Sequence, residues 1–180
     1  MSTTIFTIGH STCPFDKFVE ILETFQIEMV ADVRRIPGSR RNPQFNMSDL
    51  RDALEVRRIG YIHIAGLGGL RKNKVDSVNT GWRNPSFRAY ADYMQTPEFE
   101  TSLEQLALIA TEKVTAIMCA EAVPWRCHRS LIGDALLIRG FKVEDIMSNK
   151  TSTPHKLTSW ARVDGRSITY PGDLEQLNVS

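Results

Sequence analysis

One repeating feature constrains this chain more than any other: short β-branched or apolar runs alternate with segments whose apolar residues recur at helical spacing. Residues 4–8 (Thr-Ile-Phe-Thr-Ile) read as a buried strand stopped by Gly9. Ser11-Thr12 then offers a helix cap and Pro14 suits a first turn, while Phe15, Phe18, Val19, Leu22 and Phe25 predict an amphipathic helix over 14–25. The same reading gives a strand over 28–33, a helix over 46–57 ended by Gly60, and a short strand over 61–64. Helices follow over 86–95 and 97–112, then a strand over 114–119. A helix over 128–139 closed by Gly140 and a strand over 141–146 complete the pattern. Such alternation predicts an α/β fold: one three-layer, Rossmann-like domain with a mainly parallel sheet of about five strands and helices on both faces. A length of 180 residues suits a single domain of this kind. Residues 1–148 are expected to form it. Residues 149–180, interrupted by Pro154, Pro171 and Gly172, should add a C-terminal arm or hairpin. Residues 66–85 have no periodicity and predict a long loop, of the kind that often carries function.

Three cysteines are an odd and small set for a disulfide framework, and the start Met1-Ser2-Thr3-Thr4 lacks the basic and apolar regions of a secretory leader. No apolar run approaches the roughly 18 residues of a membrane span. A cytoplasmic protein without a membrane partner is therefore expected. The net charge is +1, but it is unevenly distributed. Residues 34–58 carry +4, residues 66–88 carry another +4, and the remainder carries −7. If the two basic segments meet in space, they form an electropositive patch on an acidic body. Otherwise they are scattered, solvated arginines.

Polar residues concentrate just after the predicted strands. Gly9-His10-Ser11 follows the first and Asp32-Val33-Arg34-Arg35 ends the second. Gly66-Leu67-Gly68-Gly69 follows the third, and Cys119-Ala120-Glu121 with Trp125-Arg126-Cys127-His128-Arg129 follows the fourth. In a parallel sheet these groups converge on the edge where open α/β folds bind ligands.

Cys119 is the candidate nucleophile or redox thiol, because a thiol at a strand end can be activated by a helix N-terminus, an arginine or a histidine. It could equally close the strand as a small buried hydrophobe. Glu121 and His10 are the candidate acid–base pair and Asp32 the orienting carboxylate; alternatively Glu121 is an ion-pair partner for Arg34 or Arg129. Cys119, Cys127, His128 and His10 lack the paired short spacings of a structural zinc site, so neither metal nor cofactor is expected. Arg34, Arg40, Arg41, Arg126 and Arg129, with His128, are candidates to hold an anion, since guanidinium groups match phosphate bidentately. Gly68 and Gly69 would let backbone N–H groups approach the same anion. Trp82, Phe87 and Tyr90, interleaved with Arg83 and Arg88, either stack bases or pack the long loop onto the body.

Five motifs together resemble the domain-of-unknown-function 488 family: Thr7-Ile-Gly-His-Ser11, Asp32-Val-Arg34, Ser39-Arg-Arg-Asn-Pro-Gln-Phe45, Leu67-Gly-Gly69, and Cys119-Ala-Glu121 with Cys127-His-Arg129. The resemblance runs from about residue 4 to residue 147. It implies a small α/β domain of bacteria or archaea, and some members carry a label as DNA-repair-related. Such sequences often place a His-Ile pair in the last strand; here it reads Asp145-Ile146. The expected function is that of an enzyme acting on a phosphate-bearing nucleotide or nucleic-acid-related substrate. The alternative is a non-catalytic nucleic-acid-binding module.

Overall fold

The computed structural model describes residues 2–172. Strand β1 (Thr4–Gly9) leads through a turn to helix α1 (Phe15–Thr24), followed by β2 (Met29–Asp32), α2 (Met47–Val56) and β3 (Gly60–His63). Helices α3 (Pro85–Tyr93) and α4 (Pro97–Glu112) come next, then β4 (Thr115–Cys119), α5 (Arg129–Leu137) and β5 (Lys142–Ile146). The main sheet has six strands in the order β3-β2-β4-β1-β5-β6, where β6 (Ser152–Pro154) is a short addition from the C-terminal segment. Its first five strands are parallel; β6 pairs antiparallel to β5. The fold is thus α/β, with one antiparallel edge strand that sequence periodicity does not reveal.

Side chains alternate across the sheet and build a core on each face. On β4, Ala116 and Met118 face α1 and α2, whereas Ile117 and Cys119 face α3, α4 and α5. The first core gathers Phe18, Leu22, Phe45, Leu50 and Leu54 around Ile8 and Val30. The second gathers Tyr90, Phe99, Leu103, Leu131 and Leu136 around Ile5 and Ala31. Each such large side chain is almost wholly enclosed and contributes about 1.5–3 kcal/mol by burial.

Local signals set most element ends. Asn84 Oδ1 accepts from the Ser86 amide and Thr96 Oγ1 from the Phe99 amide, with Pro85 and Pro97 at the first helical positions of α3 and α4. Two expectations differ. Ser11-Thr12 does not cap α1; Pro14 stands at that position, and Ser11 adopts a left-handed turn with φ +46°. The chain leaves α2 through a left-handed Arg58 (φ +60°), while Gly60 opens β3.

After β6 the chain crosses α5 and forms the hairpin β7 (Arg162–Asp164) and β8 (Ser167–Thr169). His155 lies between Asp134 of α5 (2.9 Å) and Asp145 of β5 (3.1 Å). The Tyr170 hydroxyl donates to the other Asp134 oxygen at 2.9 Å. The expected arm extends to residue 180, and its last part, 173–180, lies outside the described residues. Among the described residues, no helix is long and apolar enough to cross a membrane.

Candidate active site

Strands β2, β4 and β1 are neighbours in the sheet, so their carboxyl ends open onto a common edge. A cavity of about 690 Å³ lies there. His10, Arg34, Glu121, Cys119, Cys127 and His128 all line it, so all four strand-end groups of the sequence converge, with Gly69 contributing from the third. The convergence depends on close backbone packing. His10 and Ser11 amides donate to the Cys119 and Ala120 carbonyls, both at 2.9 Å. A Cβ on Gly9 would fall 1.8 Å from the Glu121 carbonyl oxygen, so only glycine permits this junction.

A thiol–imidazole cluster lines the same cavity. Cys119 ends β4, while Cys127 and His128 stand just before α5. The two sulfurs and one histidine nitrogen lie within 4.8 Å of one another. The His128 Nε2–H donates to the Val33 carbonyl at 3.0 Å, which leaves the Nδ1 lone pair 3.7 Å from Cys127 Sγ. The hydrogen bond from Cys119 draws the Cys127 thiol down to about 6, with help from the charge and backbone N–H of Arg129. Giving that hydrogen bond, and burial, push Cys119 up to about 12. Of the two thiols it is Cys127 that is drawn down, whereas the sequence singled out Cys119. The signal that could have identified it is Cys-His-Arg at the start of a helix, where the dipole favours an anion. The same three residues offer two sulfurs and a nitrogen, a donor set suited to a thiophilic cation.

Asp32 and Arg34 are less available than expected. Arg34 holds both Asp32 oxygens through Nε and Nη2, and Nη2 also donates to the Phe45 carbonyl at 2.7 Å. The Tyr61 hydroxyl donates to Asp32 at 2.6 Å. Asp32 is completely enclosed and does not line the cavity; it orients Arg34, which in turn reaches His10. His10 donates from Nδ1 to its neighbour's carbonyl at 2.8 Å and accepts from Arg34 Nη1 at 3.3 Å. Its ring stacks on Phe45 with centroids 4.1 Å apart. Burial, reinforced by the Arg34 charge, lowers its pKa to about 4. His10 is a neutral wall of the cavity with both nitrogens engaged, a weaker candidate for acid–base work than its position suggested.

Arg129 is also internal. It is 1% exposed and donates to the Glu121 carbonyl at 2.8 Å, bracing the loop after β4 from behind. Arg40, Gly68 and Arg129 do not line the cavity, whereas Arg35, Arg41 and Arg126 do. These three are exposed and take part in no ion pair among the described residues. The glycine pair permits close approach of side chains and backbone. A Cβ on Gly68 would meet Arg35 Cα at 2.7 Å, and one on Gly69 would lie 3.2 Å from His128 Nδ1. Trp82 stacks obliquely on Phe87 and meets Trp160 edge-on, so these rings pack the long loop and the C-terminal segment onto the body.

No curated protein and no solved structure matches the chain. A family model described as "Domain of unknown function DUF488" matches residues 14–136, more than half of the chain and a stretch that includes the Cys119, Cys127 and His128 cluster. With five motifs meeting at one sheet edge and this match across two of its three cavity-forming strands, the chain belongs to the DUF488 family.

Proposed function

We propose that this protein is an enzyme acting on a small phosphate-bearing substrate, of nucleotide or nucleic-acid-related type, bound in the cavity at the carboxyl edge of the sheet. The observation that carries the reading is one cavity lined both by a thiol–imidazole cluster and by three exposed arginines that form no ion pair among the described residues. About 690 Å³ falls within the range of small-molecule sites. Arg41 and Arg126 supply bidentate donors for a phosphate, with Arg35 and the outward edge of Arg34 beside them. Glu121, half-buried on the same cavity, is the group placed to give or take a proton. Cys119, Cys127 and His128 form the reactive centre, and Asp32 and Arg129 hold the walls in place.

Titration calorimetry with inorganic phosphate and with nucleoside monophosphates tests the reading. Wild-type protein is expected to bind, and Arg41→Ala and Arg126→Ala are each expected to weaken binding about tenfold, or ~1.4 kcal/mol. Failure of every phosphate compound to bind at millimolar concentration would overturn it, as would unchanged affinity in both variants.

A second reading, a non-catalytic nucleic-acid binder, draws support from one contact. Arg35 donates to the Leu70 carbonyl at 3.1 Å, joining the two basic segments at the cavity mouth. An open basic face of this kind would give affinity that falls steeply with salt and extends over several phosphates.

A further inference from the structure

We infer that Cys119, Cys127 and His128 bind a single thiophilic divalent cation, zinc foremost, with a fourth coordination position open to the cavity. The inference deepens the proposed function by assigning the character of its reactive centre. It rests on that reading only for what occupies the fourth position.

Three observations carry it. The first is convergence. One ligand comes from the end of β4 and two from the residues preceding α5, so the loop between them closes a site that chain spacing alone conceals. The second is geometry. The ligand atoms lie within 4.8 Å of one another, and His128 Nδ1 is 3.7 Å from Cys127 Sγ. A tetrahedral ion with bonds of about 2.3 Å to sulfur and about 2.0–2.1 Å to nitrogen needs ligand separations of about 3.6–3.8 Å, which the Cys127–His128 pair already has and the rest of the cluster reaches by closing in by at most about 1 Å. The third is preparation of the imidazole. Its Nε2–H is donated to the Val33 carbonyl, which fixes the ring and turns the Nδ1 lone pair toward the sulfurs. Gly69 permits that placement, because a side chain there would crowd Nδ1 at 3.2 Å.

The donor set decides the class of ion. Two cysteine sulfurs, which release their protons as the ion binds, and an imidazole select zinc or a similarly soft ion over magnesium or calcium, which prefer oxygen. Three protein ligands facing a cavity match the pattern of a catalytic rather than a closed structural site. An ion held there would polarise a substrate oxygen or acidify a bound water, with Glu121 on the same cavity to take the proton.

The test uses the full chain carrying Cys13→Ser, so that the cluster supplies the only thiols. Metal content is measured after purification, and the chelator-treated protein is titrated with Zn²⁺ and Co²⁺ while its circular dichroism is followed. The expected result is one equivalent of metal per chain, a thiolate-to-cobalt absorption band, and a melting temperature raised by Zn²⁺. Cys119→Ser should lose part of that band. Cys127→Ser and His128→Ala should weaken Zn²⁺ binding at least tenfold. If a variant fails to fold, alkylation of the two thiols in the native chain replaces it and should abolish Co²⁺ binding. The inference is overturned if folded protein binds no stoichiometric metal, if Cys127→Ser binds as tightly as the parent, or if the sulfurs instead oxidise readily to a disulfide without metal affinity. Inorganic phosphate titrated into the same samples separates the two ideas. Metal without phosphate binding overturns the substrate reading alone, and phosphate without metal binding overturns the metal site alone.

Discussion

Arg34 illustrates how a residue type can point to one role and its surroundings to another. Four arginines within residues 34–41 suggest anion binding, yet Arg34 is only 7% exposed and is locked to a completely enclosed Asp32. Removing one partner leaves a buried charge behind, so Arg34→Ala is expected to cost about 3–5 kcal/mol in denaturant unfolding. Arg41→Ala and Arg126→Ala, on exposed side chains, should cost under about 0.5 kcal/mol. Equal stability of all three variants would show that the Asp32 pair is not structural. Residue types at strand ends were legible in the sequence, as were His10, Glu121 and Cys119 as cavity residues. Which of them remain available was not, because availability depends on partners brought from afar, such as Phe45 and Tyr61 around Arg34 and Asp32. Cys127 was missed for the same reason. The lowering of its pKa follows from the Cys119 thiol, eight positions earlier, and from Arg129 at a helix start that sequence places only approximately.

At the scale of elements, two junctions hold the site and the C-terminal segment. The β1 turn passes against the loop after β4 with no room for a side chain at Gly9. Gly9→Ala should therefore push Glu121 and its loop aside, lowering the melting temperature and weakening phosphate binding together; loss of neither would contradict the junction's role. The second junction is His155 between Asp134 and Asp145. The two carboxylates outweigh burial and raise the His155 pKa from 6.5 to about 9. A raised folded-state value means that the stabilisation is complete below pH 6.5 and is lost as pH rises through about 9. Wild-type stability should thus decline across that window by on the order of 2–3 kcal/mol relative to His155→Gln, as measured by unfolding at a series of pH values. Parallel pH profiles for the two proteins would rule out a charged His155 in the fold. The five parallel strands and five helices were legible because β-branched runs and 3.6-residue periodicity recur in long segments. Strands β6, β7 and β8 have three residues each, too few for any period to register. The Asp145 position likewise makes sense only once His155 folds back onto it.

For the whole molecule, the charge arithmetic gains its meaning from topology. The order β3-β2-β4-β1 brings Arg35 of the first basic segment against the Leu70 carbonyl of the second at the cavity, while Arg71 and Arg88 of the second segment donate to backbone carbonyls. Binding of single-stranded DNA would distinguish a binding face from a substrate cavity. A small-substrate enzyme is expected to show weak, shallow salt dependence equivalent to one or two phosphates, whereas a slope of six or more would favour the binding module. The most direct test of the account is to map where a phosphate compound binds, by following backbone amide NMR shifts as adenosine monophosphate is added. The account predicts saturable shifts at Ser11, Gly69, Glu121, Arg126 and His128, around the cavity, and none at the β7–β8 hairpin. Shifts centred away from the carboxyl edge of the sheet, or no saturable shifts at all, would contradict it.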